Sequence, residues 1–181
     1  MKKKLTTSEI LAAARAAEAG KPPPFRRQLS AEEQKRIEAW EQFDKTAEAV
    51  FNHFEESSYD ELSQAERDCI TLWWLCAEVN SGGFHTFFVN DSGSYIRDTQ
   101  YALKRIGATE TYGILSRAIA LFFPSEPPLP DPDKRLHQME ALSAEALEAK
   151  VEAVDDAFFR CDEDIKRLYN DYWRPKKGQP N

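Results

Sequence analysis

The sequence has no apolar run long enough to cross a bilayer. Its greasiest stretch, Ile70 to Val79, is about half the length required and contains Glu78. Cysteine and histidine are scarce, with three of each in 181 residues. Cys69, Cys76 and Cys161 cannot all pair within one chain, which argues against a disulfide scaffold and for reduced thiols in a bacterial-type cytoplasm. His53, His85 and His137 stand in separate segments, and none belongs to an HExxH pattern. A P-loop, a dinucleotide fingerprint and a nucleophile elbow are all missing. So are strand-period alternation and a repeat of solenoid period. The N-terminus starts Met1-Lys2-Lys3-Lys4 and turns polar with Thr6, Thr7 and Ser8, which is not the pattern of a secretory signal. Basic charge is in deficit: the formal net charge is -7 and the sequence pI about 5.1. That argues against nonspecific binding to nucleic acid or to an anionic membrane, both densely negative.

What remains is a soluble globular profile, 41% apolar and 30% charged, long enough for one domain with a core and an appendage. The charge is unevenly placed. Residues 1 to 30 hold seven Lys or Arg against Glu9 and Glu18, and the remainder holds 17 basic against 29 acidic residues. A basic arm, residues 1–28, thus precedes an acidic body, residues 29–175, and residues 176–181 read as a frayed tail. Gly20-Lys21-Pro22-Pro23-Pro24 interrupts the arm, because no helix crosses three prolines. The arm is expected to bind nucleic acid, to fold against the acidic body, or to serve as a solubilising tail.

The body reads as all-α, a single helical domain of about seven to nine helices. Ser30-Ala31-Glu32-Glu33 and Ser63-Gln64-Ala65-Glu66 are capping boxes. The first opens a helix with Trp40, Phe43, Ala47, Val50, Phe51 and Phe54 on its apolar face. The second opens a helix apolar on most sides, with Ile70, Trp73, Trp74, Ala77 and Val79, and so a central one. It is expected to stop at Gly82-Gly83, with a short aromatic turn over Phe84 to Val89. A helix from Ser94 to Ile106 ending at Gly107 follows, then one capped by Thr109 and ending at Phe123-Pro124. After the proline-rich loop 124–133, helices resume near Asp133, after Ser143 and near Asp162, finishing before Pro175.

One stretch has a distinctive signature: Glu78-Val79-Asn80, then Gly82-Gly83-Phe84, Phe87-Phe88, Asn90 and Gly93. On these residues the sequence resembles the bacterial DNA-mimic protein family, an all-α family, over roughly residues 60–174. The resemblance weakens through Ala102, Leu103, Ile106 and Gly107. It implies a dimer and a role against DNA-binding proteins, and it carries no position-specific binding motif. Read as structure, the glycines close a turn, the phenylalanines plug the core, and Asn80 and Asn90 bond local backbone. Read as function, His85, Asn90 and Asp91 line a pocket. A metal held by Glu78 and His85 would lack the three or four ligands a metal needs, so no metal or cofactor is expected.

The acidic rows are the stronger functional lead. Glu145, Glu148, Glu152, Asp155 and Asp156 share one side of a helix, with Leu147, Val151, Val154 and Phe158 opposite. Glu41, Asp44, Glu48 and Glu55 form a second row, and Asp162, Glu163, Asp164 and Asp171 add to the total. Like charges three and four apart cost a few tenths of a kcal/mol per pair, so a sequence that keeps them is either acidic throughout or selected for its field. Cys69 and Cys76, seven apart on one helix face, read as buried thiols. No carboxylate stands alone in apolar surroundings as a catalytic acid would. The expected function is therefore non-enzymatic: a cytoplasmic acidic protein that presents carboxylates to a basic DNA-binding regulator or nucleoid protein. Two alternatives stand beside it, an immunity or antitoxin-like protein neutralising a basic toxin or nuclease, and a hydrolase with its site at the Phe84–Gly93 turn.

Overall fold

The computed structural model describes residues 29–140, 144–161 and 163–173, and for residues 144–149 the backbone alone. The expected arm, 1–28, and the expected tail, 176–181, lie outside the described residues. The chain divides into two compact units at Lys35. Of the first, residues 29–35 are described, and the Ser30 capping box closes there. The Ser30 N–H donates to Glu33 Oε2 at 2.8 Å and the Glu33 N–H to Ser30 Oγ at 3.2 Å. This box opens α1, Ala31–Glu56.

The second unit, from Arg36 onward, holds the rest of α1 and the other elements. A 3₁₀ turn, Tyr59–Glu61, leads into α2, Gln64–Val89; a second, Asp91–Tyr95, leads into α3, Ile96–Ile106. Then come α4, Thr109–Phe122, α5, Pro132–Glu140, α6, Ala144–Arg160, and α7, Ile165–Trp173. The described residues contain no strand, so the all-α expectation holds. The central helix is α2: Cys69, Ile70, Leu72, Leu75, Val79, Phe84, Phe87 and Phe88 are all fully buried along it. It packs against α3, α5, α6 and α7. Asp68, buried on the same helix, accepts two bonds from Arg105 Nη1 at 2.6 and 2.7 Å, one from Gln64 and one from the Trp173 indole. One carboxylate thereby ties α2 to α3 and α7, its donors offsetting the cost of burying charge.

Two expectations about helix ends are corrected. Phe84 to Val89 is helix, not an aromatic turn. Gly82 and Gly83 leave helical geometry for two residues, at φ -160°, ψ 29° and φ 71°, ψ -176°, and the helix then resumes. Phe84, Phe87 and Phe88 are spaced three and four apart, which is one face of a helix. Thr109 is the first helical residue of α4 rather than its cap, and the capping position falls on Ala108, which has no side chain to offer. The free N–H groups of that first turn go instead to Glu163, between α6 and α7. Its carboxylate accepts from Glu110 N–H at 3.3 Å, Thr111 N–H at 2.8 Å and Thr111 Oγ1 at 2.7 Å. A negative group at a helix N-terminus meets both the unpaired donors and the dipole.

Burial pushes the Cys69 and Cys76 thiols up to about 12. Both therefore stay protonated at neutral pH and are poor nucleophiles. Native protein treated with iodoacetamide at pH 7.5 should leave Cys69 and Cys76 unmodified for hours, and both should react once the chain is unfolded in urea. Rapid labelling of either in the native state, read by peptide mass spectrometry, would contradict this.

Candidate functional site

The acidic rows fare differently once the fold surrounds them. On α1, burial of Phe43, Ala47 and Val50 turns Glu41, Asp44, Glu48 and Glu55 to solvent. Glu41, Glu48 and Glu55 follow at seven-residue intervals, which returns each to nearly the same face. Asp44 is already engaged, by Lys166 Nζ at 2.7 Å. On α6, Glu152 is exposed, and Asp156 pairs with Arg160 at 2.6 Å. The side chains of Glu145, Glu148 and Leu147 lie outside the described residues, as does Asp162.

Asp155 does not face solvent as the helical phase suggested. It is half-buried, and its Oδ1 accepts the Phe84 N–H at 2.9 Å. Phe84 opens the second half of α2, so Asp155 caps the helix that restarts after the glycines. Helical phase places a residue on a side of its own helix and says nothing of what lies across from it. Val154, on the face assigned to the core, is buried, with Val151 and Phe158 packed beside it.

A groove of about 970 Å³ lies beside the α1 row. Trp40, Asp44, Glu48 and Phe51 of α1 form one wall, Trp73 and Cys76 of α2 the floor, and Phe158, Phe159, Cys161 and Glu163 to Lys166 the other wall. Two of its carboxylates are committed inside the fold, Asp44 to Lys166 and Glu163 to the start of α4, while Asp164 lies 3.6 Å from Arg36 Nε. Glu48 is left facing outward.

The glycine and asparagine motif is structural where it can be followed. Asn80 Nδ2 donates to the Cys76 carbonyl at 2.6 Å. Gly93 is buried in the second 3₁₀ turn against the guanidinium of Arg135, itself fully buried. Asn90 and Asp91 do line a second groove, of about 870 Å³, together with Glu78, Ser92, Trp74 and Tyr95. His85 is not among its lining residues; it is exposed, with its ring 6.4 Å from that of Phe122. Among the described residues no cluster of three His, Cys, Asp or Glu is placed to hold a metal.

Sequence reasoning weighed Glu78 only as half of an incomplete metal site and missed its shifted carboxyl. Burial holds its carboxyl above the ordinary carboxylate range, against the lowering effect of hydrogen bonds from Ser92 and Asn90. The signal was present, since Glu78 sits inside the apolar run of α2. An acid whose folded value lies above its unfolded one favours the fold while neutral. Its stabilising effect is complete below the unfolded value of 4.5 and is lost as pH rises through the folded value. Glu78→Gln should therefore raise the melting temperature at pH 8, with the gain shrinking towards nothing near pH 4. An equal gain at both pH values would mean that ionisation of Glu78 is not the cause.

The distinctive stretch, helical on either side of a glycine break, sits inside a segment whose family model matches residues 60–176. The chain belongs to the DMP19-like protein family. This is the DNA-mimic family indicated by Gly82-Gly83-Phe84, Phe87-Phe88 and Gly93. The DMP19-like segment begins at the first 3₁₀ turn, so α1 and its acidic row fall outside it. No curated protein and no solved structure matches the chain. Among the described residues, no helix is long and apolar enough to cross a membrane.

Proposed function

We propose that this protein works without catalysis in the cytoplasm, by holding a row of carboxylates against the DNA-binding face of a basic regulator or nucleoid protein and so competing with DNA. Membership of the DMP19-like family supports the reading. The observation that carries it is the outer face of α1, where Glu41, Glu48 and Glu55 are exposed and have no ion-pair partner among the described residues. Seven residues of helix advance about 10.5 Å, so these charges match roughly every third phosphate of a strand that rises about 3.4 Å per nucleotide. The row thus imitates the field of DNA more than its phosphate-by-phosphate geometry, and its effect falls mainly on association rate and salt dependence. Asp44 and Asp156 add to it only by exchanging surface ion pairs, each worth about 0–1 kcal/mol. A homodimer would lengthen the acidic face.

The test is a pull-down from native cell extract at low salt, followed by competition with duplex DNA. The triple variant Glu41→Gln, Glu48→Gln, Glu55→Gln should melt at or slightly above the wild-type temperature. It should bind the captured protein at least tenfold more weakly, with a flatter response to salt. Equal capture by wild type and variant would remove the α1 row as the binding surface. If the captured protein is a nuclease or toxin that loses its activity while DNA does not compete, the surface serves neutralisation rather than mimicry.

A further inference from the structure

The groove beside α1 contains a hydrogen-bond acceptor with no donor. The Asp164 side chain is 6% exposed. Its Oδ1 accepts the Arg167 N–H at 3.0 Å and the Trp40 indole N–H at 3.3 Å. Its Oδ2 has no hydrogen-bond partner, alone in this among buried side-chain polar atoms of the described residues. Arg36 Nε, at 3.6 Å, is within ion-pair range but beyond a hydrogen bond. Buried carboxylate oxygens in folded proteins almost always have a donor, so an orphan one that lines a groove marks a place for a ligand's N–H. The walls near it are aromatic and bare: Trp40 is 46% and Phe159 52% exposed. Aromatic side chains are enriched among the anchors of binding surfaces. The same wall already accepts a cation, since Lys166 Nζ stands 5.1 Å from the centre of the Trp40 ring.

We propose that this groove receives an arginine side chain from the basic partner, its guanidinium donating to Asp164 Oδ2 while its planar face and stem lie along Trp40 and Phe159. Arginine fits better than lysine because its fork offers several donors in one plane, stacks on aromatic faces and sheds water more readily. The proposal rests on the reading that the partner is a basic protein. It adds a specific anchor, outside the solvent-facing α1 row, to an attraction that is otherwise long-range.

The probe is the peptide acetyl-Ala-Arg-Ala-amide, compared with its citrulline and lysine counterparts on the intact protein. The tryptophan indole N–H signals are followed by NMR, with that of Trp40 assigned by its loss in Trp40→Phe. The arginine peptide should shift the Trp40 signal saturably, and the citrulline peptide, similar in shape but uncharged, at least tenfold more weakly. Asp164→Asn should abolish the preference for arginine over citrulline. Since Asp164 also bonds the start of α7, Phe159→Ala supplies an independent variant: it should keep its melting temperature and lose at least fivefold in affinity for the arginine peptide. No saturable shift, an equal response to citrulline, or an unchanged affinity in Phe159→Ala would overturn the proposal. Should the triple glutamine variant lose the captured partner while the peptide fails, only the anchor falls. Should the peptide bind while the triple variant captures the partner as well as wild type does, only the α1 row falls.

Discussion

Arg135→Met should come close to unfolding the protein, with a loss on the order of 3–5 kcal/mol, comparable with that from breaking a buried pair, out of a total stability of about 5–15 kcal/mol. Arg135 is fully buried and, among the described residues, has no carboxylate within ion-pair range; its donors go to main-chain carbonyls. Nε donates to Phe88 O, Nη1 to Leu129 O at 2.7 Å and Pro130 O at 2.9 Å, and Nη2 to Asn90 O at 2.7 Å. These join the end of α2 to the proline-rich loop before α5. Burial pulls the guanidinium below its ordinary value, partly offset by the Asp91 and Asp131 carboxylates. Methionine fills much of the space but takes a donor from each of four carbonyls; Asn90 O keeps the Gly93 N–H and Pro130 O keeps the Ser94 hydroxyl, and a carbonyl left wholly unpaired costs about 1–3 kcal/mol if water stays out. Opening of the loop to solvent would lower the cost. Urea denaturation monitored by tryptophan fluorescence would measure it. Gly93→Ala is the companion test, since a Cβ there would sit 2.7 Å from Phe88 O and 2.8 Å from the guanidinium. A loss below about 1 kcal/mol for Arg135→Met would mean that water replaces the guanidinium without difficulty.

Gly83→Val should lower the melting temperature by roughly 10 °C, the equivalent of about 3 kcal/mol in a domain of this size. Two costs combine. At φ 71° and ψ -176°, Gly83 occupies backbone space that is essentially closed to other residues, at about 1–3 kcal/mol. A Cβ there would also lie 2.2 Å from Asp155 Oδ2 and displace the carboxylate that caps Phe84. Gly82→Ala should cost less, because its Cβ meets only the Thr86 side chain and its φ of -160° suits any residue. Asp155→Ala, which removes the cap and keeps the glycine, should fall between them. An unchanged melting temperature for Gly83→Val would show that the residue is not in this conformation in solution.

What the sequence disclosed was local. The boxes at Ser30 and Ser63 are where the S-x-x-E pattern put them, and Gly107 takes the left-handed position at the end of α3. The same pattern at Ser58 to Glu61 went unread because it opens only a 3₁₀ turn. Hidden from the sequence were groups whose partners lie far along the chain. Asp155 and Glu163 read as surface acids, yet their partners, Phe84 and Thr111, are 71 and 52 residues away. Arg135 lies in a short polar helix, and nothing near it announces complete burial. The Asp164 carboxylate depends on Trp40, 124 residues distant, which donates to Oδ1, and on Arg36 Nε standing beyond hydrogen-bond range of Oδ2. Periodicity records which side of a helix is greasy, whereas these contacts depend on which helices meet.

The glycine break has a mechanical consequence. It cuts six residues, Phe84 to Val89, from the body of α2. A helix that short does not hold itself together in water. This one is fastened at its start by Asp155 of α6 and at its end by Arg135 of α5. It behaves as a bolt held at both ends, sound only while both fastenings hold. Slack in either α5 or α6 would be felt along the whole piece, and through Phe84, Phe87 and Phe88 in the core. The two helices are thereby coupled through one short piece.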